Sequence, residues 1–217
     1  MRSPVRMTKL VVAVIQLARD LERLNKVFEI NDQIVALRTP ADERAVVADF
    51  GTHPIGAAAL RDRPRLGRLD LARLRASPAD TLGGAYVRFL DRHHISPDSL
   101  PSVPPTTDLE YIVTHYYETH DLWHVVTGFD ADPAGELGLQ AFLLAQSRSY
   151  LPLFIISAGF LNAALYAYDQ RVPRFDAVAR GWALGKSAAR LPGVDWKAHL
   201  SRPLADVQRD FGLGVAS

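Results

Sequence analysis

Residues 106 to 128 read TTDLEYIVTHYYETHDLWHVVTG, and this stretch decides the fold. Thr106-Thr107-Asp108 is a helix N-cap signal, with Glu110 three residues after Thr107. The spacing predicts a long helix from Leu109 to about Val126, ended at Gly128 by a residue free to turn left-handed. On that helix His120 and His124 lie one turn apart and project from one face. Asp121 borders the same face. Asp130 to Pro133 is a turn, and Gly135 restarts a helix to about Tyr150. Glu136, twelve residues after His124, has enough chain before it to come back toward the histidines.

Working outward, the rest of the chain repeats the same grammar. Residues 8 to 37 carry Leu10, Val14, Leu17, Leu21, Leu24 and Phe28 at helical spacing, which predicts one long helix. Thr39-Pro40 stops it, because the residue before proline avoids helical geometry. Ala41 to Phe50 reads as a short helix, and Gly51, Pro54 and Gly56 as a break. Residues 61 to 76, RDRPRLGRLDLARLRA, read as a solvated, arginine-rich helix face. Residues 77 to 94 predict a helix with Ser77 and Asp80 as candidate caps and Tyr86, Phe89 and Leu90 as its apolar face. Ile95 to Pro105 is a proline-rich loop. Pro152 opens an apolar helix, and Pro173 and Pro192 punctuate the last third. No run alternates as a strand would. The expectation is an all-α protein: a single compact domain over residues 1–217, of mostly antiparallel helices around a metal site and an apolar groove.

Composition narrows the function. The chain has 217 residues, 48% hydrophobic and 23% charged, which is a globular mix long enough for a sizeable core. The net charge is +1, which argues against a nucleic-acid partner. There is no cysteine, so a disulfide scaffold, a zinc finger, an iron–sulfur site and a cysteine nucleophile are excluded. The start, MRSPVRMTK then LVVAVIQLA, has the basic-then-apolar order of a signal peptide. Gln16 interrupts the apolar run, which continues into the charged RDLERLNKVF, so an amphipathic helix packed on the body is expected instead. Leu151 to Tyr168 falls short of the roughly 20 apolar residues of a spanning helix and holds Pro152, Gly159 and Asn162. It reads as a central buried helix.

Two imidazoles and two carboxylates, His120, Asp121, His124 and Glu136, make a mixed nitrogen and oxygen donor set. Zinc, ferrous iron, manganese and cobalt all accept such ligands. Structural histidine–aspartate pairs share this spacing, and Asp121 and Glu136 are what raise the pattern above them. His115 points elsewhere, and His93-His94 reads as surface.

The element HDLWH (120–124), then VVTGFDADPAG, then Glu136 resembles the hallmark His-Asp-x-x-His-x11-Glu of the Coq-four family of ubiquinone (coenzyme Q) biosynthesis. The flanks resemble it too: RDRPRLGRLDL, TLGGAYVRFLDRHHISPDS, GELGLQAF, ARGWALGKSAARL and RPLADVQRDFGL. Together they cover residues 58 to 214 and leave an N-terminal helical segment, 1 to 57, unanchored. The resemblance implies a helical, often dimeric protein, peripheral to membranes on the cytoplasmic side in a bacterial-type chain, or soluble in the cytoplasm. It implies a divalent metal, zinc foremost, held by His120, Asp121, His124 and Glu136 as catalytic residues. It implies a polyprenylated aromatic ligand and other quinone-biosynthesis proteins as partners. The activity implied is oxidative decarboxylation at carbon 1 of a polyprenylated hydroxybenzoate. The alternative is a non-catalytic scaffold or prenyl-lipid carrier.

Phe154, Ile155, Phe160 and Leu161 are the expected groove wall for a prenyl tail, and Arg61, Arg63 and Arg65 the expected contacts to lipid head groups. A rival from another class is an HD-type phosphohydrolase, with His93 or His94 and Asp169 completing its site. That reading leaves Glu136 without a role.

Overall fold

The computed structural model describes residues 4–21, 24–96 and 104–214, excepting the side chains of residues 24 and 25. The helical position assigned to the Leu24 side chain, and the Ser-Pro-Asp segment from Pro97 onward, lie outside them. The helices are α1 (Pro4–Arg19), α2 (Leu24–Leu37), α3 (Pro40–Gly51), α4 (Pro54–Asp62), α5 (Leu71–Arg75) and α6 (Leu82–His93). After these come α7 (Asp108–Thr127), α8 (Pro133–Gln146), α9 (Leu151–Leu165), α10 (Arg171–Ser187) and α11 (Leu204–Asp210). Short 3-10 turns run over Tyr168–Gln170 and Trp196–His199. Among the described residues there is no strand, only an isolated bridge between Thr81 and Pro203. The all-α reading stands. No helix among them is long and apolar enough to cross a membrane.

The chain forms two compact units, each made of separated segments. One comprises Met1–Val46 and Asp132–Lys186, the other Val47–Ala131 and Ser187–Ser217.

In the first unit, α9 packs against α1, α2 and α8. Its core joins Leu10, Ala13 and Leu17 of α1 to Ile30 and Ile34 of α2, Leu137 of α8, and Ile155 and Ile156 of α9. Each fully buried Leu or Ile contributes about 1.5–3 kcal/mol of transfer free energy. The single helix expected over 8–37 is two helices. The Asp20 N–H bonds the Leu17 carbonyl at 3.1 Å, a tightened last turn that closes α1. Folding back lets the apolar faces of α1 and α2 bury one another, a gain that a continuous helix would forgo. Pro173 sits in the first turn of α10, where a missing N–H costs nothing, so it opens that helix and does not break the chain. Helices α8 and α10 meet at glycines: a Cβ on Gly181 would lie 1.9 Å from the Gly138 carbonyl oxygen.

In the second unit, α6 packs on α5 and α7, and α11 on α6 and α7. The cap of α6 is Thr81, not Ser77 or Asp80; its hydroxyl accepts from the Gly84 N–H at 3.2 Å. Thr81 is chosen because the chain is pinned there, with Leu82 and Gly83 N–H donating to the carbonyls of Arg202 and Leu200. Tyr86, Phe89 and Leu90 are buried as expected. Gly56 lies inside α4 and does not interrupt it. A Cβ there would fall 1.9 Å from the Phe50 carbonyl oxygen, so glycine permits α4 to press on the end of α3. Of the arginine-rich stretch, Arg61 and Asp62 end α4 and Leu71–Arg75 form α5, while residues 63–70 are not helical.

Candidate metal centre

Helix α7 starts where its capping box sets it. The Thr107 hydroxyl accepts from the Glu110 N–H, and the Glu110 carboxylate accepts from the Thr107 N–H in return. From that start, helical periodicity stacks His120 under His124, with ring centroids 4.9 Å apart. The helix ends at Gly128, whose φ of +68° suits glycine, and whose N–H bonds the His124 carbonyl. The turn brings the Phe129 carbonyl oxygen to 3.1 Å from Nδ1 of His124. A carbonyl can only accept, so Nδ1 carries the proton and Nε2 presents its lone pair.

Asp132 then caps α8, accepting from the Gly135 N–H at 2.7 Å, with Pro133 in the first turn. Glu136 follows in that turn. Gln140, one turn on, donates from Nε2 to Oε1 of Glu136 at 2.6 Å and fixes the carboxylate.

Ligand atoms of His120, His124 and Glu136 all lie within 4.8 Å of one another. Donors around a tetrahedral zinc at about 2.1 Å stand roughly 3.4 Å apart, so small side-chain rotations suffice to close the set on a cation. His124 is buried, and His120 and Glu136 partly so. The structure thus brings together three of the four expected ligands. Asp121, 100° round the helix from His120, stands beside it, its carboxylate 3.4 Å from Nδ1 of His120. That is the place of a residue that orients a ligand's ring. The three donors can hold a divalent metal, and their chemistry does not single out which one.

Around the donors the wall is aromatic. The Phe89 ring stacks on His124 at 5.4 Å and contacts His93 at 4.7 Å. His93, read from sequence as surface, is largely enclosed there, with Nε2 2.6 Å from Asp130. Burial, reinforced by the charge of Asp121, pushes the Tyr86 hydroxyl well above the ordinary tyrosine range, so it is neutral. His115 faces away from the donors. It accepts the Gly193 N–H on Nε2, and burial lowers its pKa to about 4. Sequence reasoning missed Gln140, Phe89 and the Phe129 carbonyl. Only Gln140, four residues after Glu136, carried a spacing signal.

The other expected site residues are scattered. Ile155 is core, and Phe160 and Leu161 pack half-buried on it. Phe154 lines a shallow cleft of about 70 Å³ with Met7, Leu10, Ile34, Leu37 and Tyr150, edged by Arg38 and Asp42. Arg65 is not a solvated arginine: it forms a two-pronged pair with Glu118, 2.9 Å from Nε and 2.5 Å from Nη2. Arg63 pairs with Asp108 at 2.7 Å, and exposed Arg61 bonds the Ala57 carbonyl. Asp169 lies exposed in a 3-10 turn, and the group of donors found among the described residues comprises His120, His124 and Glu136, without His93, His94 or Asp169.

A family model described as coenzyme Q (ubiquinone) biosynthesis protein Coq4 matches residues 37–216. The chain is 35% identical over 166 residues to the mitochondrial ubiquinone biosynthesis protein coq4 of Botryotinia fuckeliana, covering 74% of this chain and 58% of that one. It is 33% identical over 168 residues to the Neurospora crassa counterpart, covering 75% and 47%. It therefore spans only about half the length of these curated relatives. A crystal structure of a candidate ubiquinone biosynthesis protein from Nostoc punctiforme is similar in fold, with a TM-score of 0.82 and 25% identity over 96% of this chain and 99% of that one. The match reaches back to residue 37, into the segment that sequence reading left unanchored. With its donor triad and its helical fold, the chain belongs to the Coq4 family of coenzyme Q (ubiquinone) biosynthesis proteins.

Proposed function

We propose that this protein is a divalent-metal enzyme of ubiquinone biosynthesis that removes the carboxylate at carbon 1 of a polyprenylated hydroxybenzoate. The observation that carries this reading is the triad His120, His124 and Glu136, with ligand atoms within 4.8 Å. Three protein ligands leave coordination positions for a substrate, whereas a structural zinc site closes with four. A bound divalent cation would supply Lewis acidity to the substrate's carboxylate or adjacent hydroxyl.

The chain's own residues prepare that chemistry. The Phe129 carbonyl holds the proton on Nδ1 of His124, and Gln140 holds Glu136 by its Oε1. Phe89 covers one face of the His124 ring and keeps water from it. In the reaction the bond from ring carbon to carboxylate breaks, carbon dioxide leaves, and the bonding pair stays on carbon 1. Replacement by hydroxyl uses that pair to bond one atom of dioxygen, which takes up a proton there, while the second atom leaves as water after receiving two protons and two electrons from an external two-electron reductant. The shallow apolar surface of Leu10, Leu37 and Phe154 would offer a polyprenyl tail a wall to lie along. The chain would work at the membrane surface among other quinone-biosynthesis proteins.

The test is elemental analysis of wild type and His124→Ala, followed by single-turnover incubation with a prenylated hydroxybenzoate in air. Metal near one per chain, lost in the variant, with carbon dioxide released by wild type alone, is the expected result. Bound metal with no release would overturn catalysis in favour of a scaffold or lipid carrier.

A further inference from the structure

His93 is the last residue of α6, and its ring is turned inward. Phe89 stands one helical turn before it, and the two rings lie 4.7 Å apart. Phe89 in turn stacks on the ring of His124. Only 20% of the His93 side chain is exposed, and Nε2 lies 2.6 Å from Oδ1 of Asp130. An ionised carboxylate only accepts, so that nitrogen carries a proton.

Asp130 shares a peptide group with Phe129, and the carbonyl of that group is the one that faces Nδ1 of His124 at 3.1 Å. Gly128, just before, is the freest joint of the turn, so the peptide is held from beyond it. The Phe129 ring, 3% exposed, anchors one end. At the other end Oδ1 of Asp130 meets His93 and also accepts the Ala131 N–H at 3.1 Å. With its Cβ and the following peptide held, the tetrahedral Cα of Asp130 fixes its own nitrogen. Planarity then carries that orientation to the Phe129 carbonyl.

We infer that His93 is a positioning residue of the metal centre: through Asp130 it locks the peptide whose carbonyl keeps the proton on Nδ1 of His124 and leaves Nε2 free to ligate. The inference rests on the reading of His120, His124 and Glu136 as metal donors. His93 touches neither metal nor substrate. It acts on the fraction of His124 rings that present a lone pair on Nε2 before a cation arrives. A ring with its proton on Nε2 cannot ligate through that atom, and apparent affinity falls in proportion to the competent fraction.

The experiment reads His124 by nitrogen-15 NMR in the metal-free full chain at about pH 8, where imidazoles are neutral. Wild type should show the Nδ1–H tautomer. His93→Phe keeps a ring against Phe89 and removes the nitrogen. The ratio of Nδ1–H to Nε2–H should fall about 3- to 10-fold, the factor of one hydrogen bond. Zinc affinity, read by chelator competition, should fall with it by up to about 10-fold. His93→Gln sets an amide nitrogen where Nε2 stood and should restore both readouts. Asp130→Ala breaks the same contact from its half-exposed partner and should reproduce the shift without disturbing the core. Gln208→Leu is the control. Gln208 donates to the Val126 carbonyl at 3.0 Å, at the same helix end but not on the 129–130 peptide. Its loss should lower the melting temperature and leave the tautomer ratio alone. An unchanged ratio in folded His93→Phe or Asp130→Ala would overturn the inference. So would an equal shift in Gln208→Leu, since a loosened helix end would then account for it. Zinc refused by wild type as well would overturn the metal-centre reading, and the tautomer ratio would still decide whether His93 acts on His124.

Discussion

The backbone N–H of Gly193 donates to Nε2 of His115 at 2.9 Å, across 78 residues of sequence. His115 is 1% exposed, and burial is the main cause that lowers its pKa to about 4. Its acceptor role requires a neutral ring with the proton on Nδ1. In the unfolded chain the same residue titrates near 6.5. The unfolded state therefore takes up the proton first as pH falls. His115 should cost nothing above pH 6.5, an increasing amount from 6.5 down to about 4, and no more below that, reaching about 3 kcal/mol at full shift. Urea unfolding from pH 8 to pH 4, wild type beside His115→Gln, checks it. The variant, lower in stability at neutral pH, should lose less on acidification through this window.

Gly181→Ala should be among the most damaging small changes, at ~3 kcal/mol, because its Cβ would meet backbone and not a movable side chain. Gly128→Ala offers the contrast. Its φ is +68° but nothing lies within 4 Å of a Cβ, so the left-handed strain alone applies, at about 1 kcal/mol. Thermal denaturation of the two variants should separate them by several degrees.

Arg65 and Arg75 both make two-pronged pairs with a carboxylate, Glu118 and Asp91 respectively. The first pair is mostly enclosed, with side chains 23% and 11% exposed; the second is half open. Removing Arg65 takes the countercharge from Glu118 and leaves it the Gly67 N–H at 3.2 Å, so Arg65→Ala should cost about 3 kcal/mol. Arg75→Ala should cost far less, because solvent screens this open pair. Equal losses in chemical denaturation would contradict the assignment.

Gln140→Leu keeps side-chain volume and removes the donor to Glu136. Metal affinity, read by competition with a chromogenic chelator, should fall about 10–100-fold while helix content stays unchanged. Thr107→Ala, far from the donors, should instead lower stability by about 1 kcal/mol with metal affinity intact.

Local signals were legible and long-range ones were not. Thr107 and Gly128 announce the ends of α7, because capping chemistry acts over three or four residues, whereas Asp132 as the cap of α8 is hidden in a stretch that reads as a turn. The His120–His124 spacing follows from helix pitch, and Glu136 from the length of the turn. The division of residues 8–37 was hidden, since α1 and α2 carry the same apolar period. Thr81 displaced Ser77 as a cap because the Leu82 and Gly83 N–H groups donate to the carbonyls of residues 202 and 200, far along the chain. Arg65 looked solvated because Glu118 lies 53 positions away. The Phe129 carbonyl that orients His124 has no side-chain signature at all.

The shortness of the turn at Gly128 has a thermodynamic corollary. His124 and Glu136 are twelve residues apart, so a cation joining them closes a very small chelate loop. Loop-closure entropy rises only with the logarithm of length, and the caps at Gly128 and Asp132 have already spent most of it. Metal loading should thus neither template the fold nor wait for it to rearrange. The hairpin would exchange its ion reversibly, as a preformed claw and not as a staple.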